Sequence, residues 1–184
     1  MLSYQPVVDW ISRSHCYILI YFLPTGGFFL SWVRDFGIIG DMINRLEKLF
    51  LVLLRLALGW LFFYAGITKV LDPEWSAGAY LTGANNLTEF YHWLAGPTIL
   101  PIINLINEWG LVLLGVSLIL GLFVRWSAVL GALLMILYYL PILDFPYPDP
   151  HSFIIDQHII YALALLYLAT RHAGRVLGLD ARLK

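Results

Sequence analysis

The sequence predicts an all-α membrane protein: a polytopic four-helix bundle with short amphipathic surface helices between its first and second spans. Three observations lead there. Of 184 residues, 60% are hydrophobic and only 12% are charged, with a mean hydropathy of +0.78, whereas a soluble domain carries about 25% charged residues. Four stretches are apolar over the length that a crossing helix needs, roughly 20 residues at about 1.5 Å each against a hydrocarbon core of about 30 Å. Finally, the basic residues that flank these stretches lie almost wholly on one side of them.

The first span covers Leu49–Leu71, the second about Thr98–Val124, the third Trp126–Leu143 and the fourth Phe153–Thr170. Pro141 is tolerated near the end of the third, where few helix bonds are lost. Between the first two spans runs Asp72–Gly96, with Pro73 at a first-turn position and a break at Gly83–Asn86. Two short helices are expected there, Glu74–Thr82 and Leu87–Leu94, lying on the membrane surface with Trp75, Tyr80, Tyr91 and Trp93 at head-group level. An ordered loop packed on the bundle is the other reading.

Charge sets the expected orientation. Arg45 and Lys48 precede the first span, Arg125 stands between the second and third, and Arg171, Arg175, Arg182 and Lys184 follow the fourth. The opposite side has Lys69 among the acids Asp72, Glu74, Glu89, Asp144 and Asp149. By the positive-inside rule both ends of the bundle face the cytoplasm, in a multi-pass protein of the cytoplasmic membrane. Residues 1–45 are set apart from the bundle, 46–184. They admit three readings: a signal peptide without a clear cleavage site, a fifth helix broken at Pro24–Gly27, or an upstream extension with the functional chain starting at Met42.

Several function classes drop out. A net charge of −1 gives no electrostatic case for nucleic acid. One cysteine, Cys16, excludes an internal disulfide and a CxxC redox pair. Haem needs two axial ligands on facing helices, and His158 has no such partner, because His92 and His151 fall in loops. No haem and no metal are therefore expected in this chain. A transporter reading would call for internal repeats, and none is visible.

Ionisable groups inside a span carry the functional hypotheses. On the first span Arg55, Gly59, Phe62, Gly66 and Lys69 recur at alternating spacings of four and three and share one face. The glycines allow a neighbouring backbone close, which aims Arg55 inward. On the second span Asn104, Glu108 and Gly115 form a matching line, and Glu108 lies deep. Arg55 rising and Glu108 descending are expected to meet as a buried pair or polar network near mid-membrane. The alternatives are a snorkelling Arg55, a helix-ending Lys69, and a proton-handling or ligand-binding Glu108.

The fourth span opens with Asp156-Gln157-His158. On one helix these two ionisable residues are about 200° apart, which predicts that they do not share a small pocket. Asp156 then faces the surface or caps the helix start. Tyr138 and Tyr139 end the third span on the same outer side, before the Pro-rich Phe145–Pro150. With Trp109 these tyrosines suit the walls of a quinone head-group site, although an aromatic belt has a similar composition.

The segments RLALGWLFFYAGITKVLDP (Arg55–Pro73), NEWGLVLLGVSLILGLFVR (Asn107–Arg125), DFPYPDPHSFIIDQHIIYALALLYLA (Asp144–Ala169) and GRVLGLD (Gly174–Asp180) resemble the DoxX/DoxD family. The resemblance runs from about Leu46 to the C-terminus and is closest to the DoxD-like branch. It implies a membrane subunit of a thiosulfate:quinone oxidoreductase, oxidising thiosulfate to tetrathionate and reducing membrane quinone beside a DoxA-type subunit. On that footing Glu108, His158 and Arg55 are the candidate catalytic residues. Tyr138, Tyr139 and Trp109 are the candidate quinone contacts, and Lys69 and His151 the candidate contacts for the substrate anion. The outer loops are acidic, so anion binding would depend on Lys69, protonated His151 or helix N-termini. A competing implication is a non-catalytic subunit anchoring a larger redox complex. Besides the bilayer, a second redox subunit and a further copy of the chain are the expected partners.

Overall fold

The computed structural model describes the backbone of residues 26–148 and 151–183, and the side chains of 40–148 and 151–183. Two compact units are present, Met1–Glu47 and Lys48–Lys184. Among the described residues six α-helices follow in order: α1 Gly26–Val70, α2 Gly78–Thr82, α3 Thr88–Leu94, α4 Leu100–Leu120, α5 Val124–Ile142 and α6 Gln157–Thr170. Two 3₁₀ turns, Ala173–Arg175 and Leu179–Ala181, close the chain. No strand occurs among the described residues.

Three of these helices are long and apolar enough to cross a membrane: α1 over Gly40–Val70, α4 and α5. The exterior agrees with that setting. Leu53, Trp60, Leu105, Ile106, Leu113, Leu130, Leu133, Ile160 and Leu163 are all exposed, an apolar surface that lipid tolerates and water does not. The fourth predicted span is shorter than expected. It begins at Gln157 rather than Phe153, and its 14 residues reach about 21 Å. The Asp156 carboxylate accepts the backbone N–H groups of His158 (3.0 Å) and Ile159 (3.2 Å) and so fixes the helix start.

The first helix departs the other way. It was expected from Leu49 and begins at Gly26, so Phe28–Val33 lies inside α1 and is not half of a separate broken helix. Between Pro24 and Pro73 no proline interrupts the chain, so nothing removes a helix bond there. Tyr17–Leu23 falls outside the described residues.

α1 and α4 approach closely. A Cβ at Gly66 would stand 2.6 Å from the Val112 nitrogen, and one at Gly59 would be 2.9 Å from Ile119 Cγ1. A Cβ at Gly115 would overlap the Phe63 backbone. The glycine stripe therefore works as its spacing predicts. α4 ends at Gly121, whose φ of +69° allows the Leu122 N–H to reach the Ser117 carbonyl and the Gly121 N–H to reach Leu118. The core below draws on four helices: Leu58 and Phe62 of α1, Leu111 and Leu118 of α4, Ala128 and Met135 of α5, Leu165 and Leu168 of α6. A second cluster, Ala77, Leu81, Ala84 and Tyr91, packs α2 and α3 against Leu100, Ile103 and Leu140 at the helix ends. The short helices exist, with α2 starting later than expected, and they pack onto the larger ones.

Arg55 is buried, at 2% exposure, but it does not meet Glu108. Its guanidinium donates to the carbonyls of Ala173 (2.8 Å), Val176 (3.0 Å) and Leu177 (3.2 Å). Ala173 opens the 3₁₀ turn after α6 and its carbonyl also accepts the Val176 N–H (3.2 Å), while Val176 and Leu177 follow that turn, and a guanidinium fork satisfies several carbonyls at once. Asp180 completes the clasp. Its carboxylate accepts the N–H groups of Phe123 (2.7 Å) and Val124 (3.1 Å) at the start of α5, and its own N–H donates to the Gly121 carbonyl (2.9 Å). The expected Arg55–Glu108 pair is thus replaced by two separate polar arrangements, one at each end of α1's buried face. Arg55→Met should destabilise the protein in mild detergent by about 3–5 kcal/mol, since one buried and two part-buried hydrogen bonds to carbonyls lose their charged donor. Arg55→Met combined with Glu108→Gln should cost the sum of the two single changes; a double variant much milder than that sum would restore the pair.

Candidate functional site

At the other end of α1 a cleft of about 220 Å³ is lined by Lys69, Trp75, Ser76, Ala77, Tyr80, Asn107, Tyr138 and His158. The topology explains the gathering. Lys69 ends α1, Asn107 sits two turns into α4, Tyr138 lies one turn before the end of α5, and His158 opens α6. Alternating helix directions bring these four positions to one end. The segment holding Trp75 and Tyr80 then folds across them.

Lys69 is the fixed cation of the site. Its Nζ donates to Asn107 Oδ1 at 2.7 Å and stands 4.6 Å from the Trp75 ring centroid and 5.5 Å from that of Tyr138. Two aromatic faces therefore supply part of what water would supply to the ammonium. Glu108, half-buried on α4, is the carboxylate whose field reaches Lys69. One turn nearer the start of α4, Asn104 accepts the Ala77 N–H (3.0 Å) and donates to Ser76 Oγ (3.3 Å), fixing the loop that roofs the cleft.

His158 is held from two sides. Its Nδ1 lies 2.5 Å from Asp156 Oδ2, and its ring meets Tyr138 edge-on at 6.1 Å. Asp156 caps the helix, as one of the two readings expected, and does not line the cleft with His158, but the contact between their side chains was not foreseen. Asp156 has the extended backbone of a cap residue, with φ −116° and ψ −174°, so the 100° step of a helix does not apply to it. Capping α6 and orienting His158 are done by the same buried carboxylate. An ionised Asp156 favours the tautomer with hydrogen on Nδ1 and leaves Nε2 as the other functional atom. Tyr138 lines the cleft with a buried hydroxyl that stands by the Asn107 side chain without closing a hydrogen bond of good geometry among the described residues. Tyr80 donates to the Tyr138 carbonyl, and its phenol is pushed up to about 12, by burial first and then by Tyr91 and Asp156.

The other candidate residues are dispersed. Tyr139 is buried on a different face of α5, its hydroxyl bonded to the Ile154 carbonyl. Trp109 is 48% exposed on the outside of α4. His151 is exposed in the loop before α6, and Arg55 belongs to the clasp at the opposite end. The structure brings together Lys69, Tyr138 and His158 and adds Asn107, Trp75, Ser76 and Tyr80. Asn107 stands three residues after Asn104 on the same helix, a spacing that puts both on one face. That signal was readable beside the more conspicuous Glu108. Among the described residues no three His, Cys, Asp or Glu side chains converge as a metal set.

In comparison with known proteins, the family model described as DoxX matches residues 50–142, about half of the chain. It includes Arg55, Lys69, Asn107 and Tyr138 and stops short of His158. No curated protein and no solved structure matches.

The Lys69–Asn107 contact should be measurable as a coupling. Lys69→Met and Asn107→Leu should each destabilise the protein. The double variant should cost less than the sum by about 1 kcal/mol or more, and strict additivity would mean that the contact contributes nothing.

Proposed function

This chain belongs to the DoxX family of membrane proteins, and on that premise we propose that it is the quinone-handling membrane subunit of a redox system, with the quinone head group seated in the Lys69–His158 cleft. The family is of a type associated with redox or quinone-related functions. The observation that carries the proposal is the convergence of hydrogen-bond donors on one aromatic-walled cleft at the end of an apolar helical body. Lys69, Asn107, the unsatisfied Tyr138 hydroxyl and His158 face a volume of about 220 Å³. That is below the 300–1,000 Å³ or so of sites for drug-sized ligands and suits a single ring. Trp75, Tyr80 and Tyr138 supply flat walls.

A quinone accepts two electrons and two protons, and its two carbonyl oxygens are the acceptors this donor set fits. Lys69 holds a positive charge where negative charge develops on an oxygen. Protonated His158 keeps one N–H on Asp156 and has the other to give, and Asp156 orients the ring. Tyr138 and Asn107 fix the ring's position. Water is limited by the α2–α3 segment folded over the cleft.

In this reading the electrons arrive from outside the chain. Following the DoxD-like resemblance, the donor is thiosulfate: two thiosulfate ions joined through sulfur as tetrathionate release two electrons, the number that one quinone takes. A DoxA-type subunit or another redox partner would carry that half-reaction, with the acidic outer loops as its docking side. The proposal includes a four-span arrangement with α6 as the short fourth member, in the cytoplasmic membrane, and with the Arg125–Arg182 end in the cytoplasm. An anchoring subunit without a site would instead show its small residues on the exterior. Here Gly59, Gly66 and Gly115 face each other inside.

The test is to purify the protein with whatever accompanies it and follow quinone reduction on adding thiosulfate. Wild type should reduce quinone, and His158→Ala and Lys69→Met should each slow reduction by about a hundredfold, with both variants still folded at the assay temperature. Absence of bound quinone, together with absence of reduction by the co-purified complex, would leave the anchoring role in place of this one.

A further inference from the structure

The opposite end of the protein holds a second pocket, of about 260 Å³, formed by Phe123, Arg125, Trp126, His172, Arg175 and Leu183 with Asp180 behind them. We propose that this pocket binds the phosphodiester head group of an anionic phospholipid. The inference is independent of the quinone reading and uses none of its residues.

Charge is the first argument. Arg125 and Arg175 are exposed, and among the described residues neither side chain has a hydrogen bond or an acidic partner. The one carboxylate lining the pocket, Asp180, is turned onto the backbone N–H groups of Phe123 and Val124 and sits in the field of the buried Arg55. Its charge is therefore largely met from the protein side, and two guanidinium groups remain to face the opening. His172 adds a ring whose Nδ1 contacts the Thr170 carbonyl at 3.1 Å. A guanidinium presents paired N–H donors that match two phosphate oxygens.

Position is the second argument. Arg125 is the second residue of α5, and His172 and Arg175 follow α6 directly. Trp126 and Phe123, 70% and 61% exposed, are the ring types that settle at head-group depth. Basic pockets between helices at this level fit anionic head groups, and each Lys or Arg near the surface strengthens binding about fivefold. A free phosphate would meet the same donors. It would gain nothing from Trp126 and Phe123 or from the exposed apolar flank of α5 at Val129, Leu130 and Leu133, which an acyl chain would cover.

The experiment titrates the full chain in neutral detergent with short-chain phosphatidylglycerol, with phosphatidylcholine of equal chain length, and with inorganic phosphate. Phosphatidylglycerol should bind at least tenfold more tightly than phosphatidylcholine, and millimolar phosphate should not displace it. Arg125→Gln and Arg175→Gln should each weaken binding about fivefold, and together about 25-fold, with unchanged melting temperature. Lys48→Gln, which removes a charge outside the pocket, should change binding by less than twofold. Equal binding of the two lipids, displacement by phosphate, or an equal loss in Lys48→Gln would each overturn the assignment.

Discussion

Close contact between α1 and α4 is the constraint on which the two ends of this protein depend. The buried Arg55 and the half-buried Lys69 ride on the same face of α1 as Gly59 and Gly66. If side chains larger than hydrogen stood at these glycines or at Gly115, the helix axes would move apart. The 2.7 Å contact between Lys69 and Asn107 would then open, because Asn107 is on α4. The same separation would draw the Arg55 guanidinium away from Gly121 and Gly178, whose added Cβ atoms would lie 2.8 and 2.7 Å from its Nη1. Small residues at a helix contact thus set the reach of charged ones at both of its ends.

Solvation decides what those cations then do. A charge within an apolar helical body is stable only where polar groups replace its hydration. Arg55 obtains this from the carbonyls of Ala173, Val176 and Leu177, beyond the end of α6, which makes the segment after Thr170 part of the fold and not a loose tail. Lys69 obtains it from an amide, two aromatic faces and the field of Glu108. The first arrangement is met largely by backbone carbonyls, with Nε left without a hydrogen-bond partner among the described residues, and is structural in character. The second is built from side chains around an open volume of about 220 Å³, and that volume is what the quinone proposal draws on.

Much of this was legible in the residues, and the failures have physical causes. The apolar stretches locate α4 and α5 to within a few residues, because length against bilayer thickness is a strong signal. The spacing of Arg55, Gly59, Gly66 and Lys69 identifies the buried face of α1 and the close neighbour. Periodicity gives a face but not the height of a partner, so Arg55 was expected to meet Glu108, whereas the C-terminal carbonyls lie nearer to hand. Helical angles misjudged Asp156 because a cap residue is not helical. The site itself was half visible. Lys69, Tyr138 and His158 were named and the spacing of Asn107 from Asn104 was readable, while Trp75 and Tyr80 enter through the folding of the segment between α1 and α4, a long-range packing event that no local pattern records.

The central claim is that a quinone ring lies among Lys69, Asn107, Tyr138 and His158, and light-driven attachment of an azido-quinone to the purified protein tests it most directly. Peptides carrying the label, identified by mass spectrometry, should contain Tyr80, Tyr138 or His158, and excess unmodified quinone should suppress the labelling. Label confined to lipid-facing residues such as Leu113, Leu130 or Leu163, unaffected by competing quinone, would contradict the account.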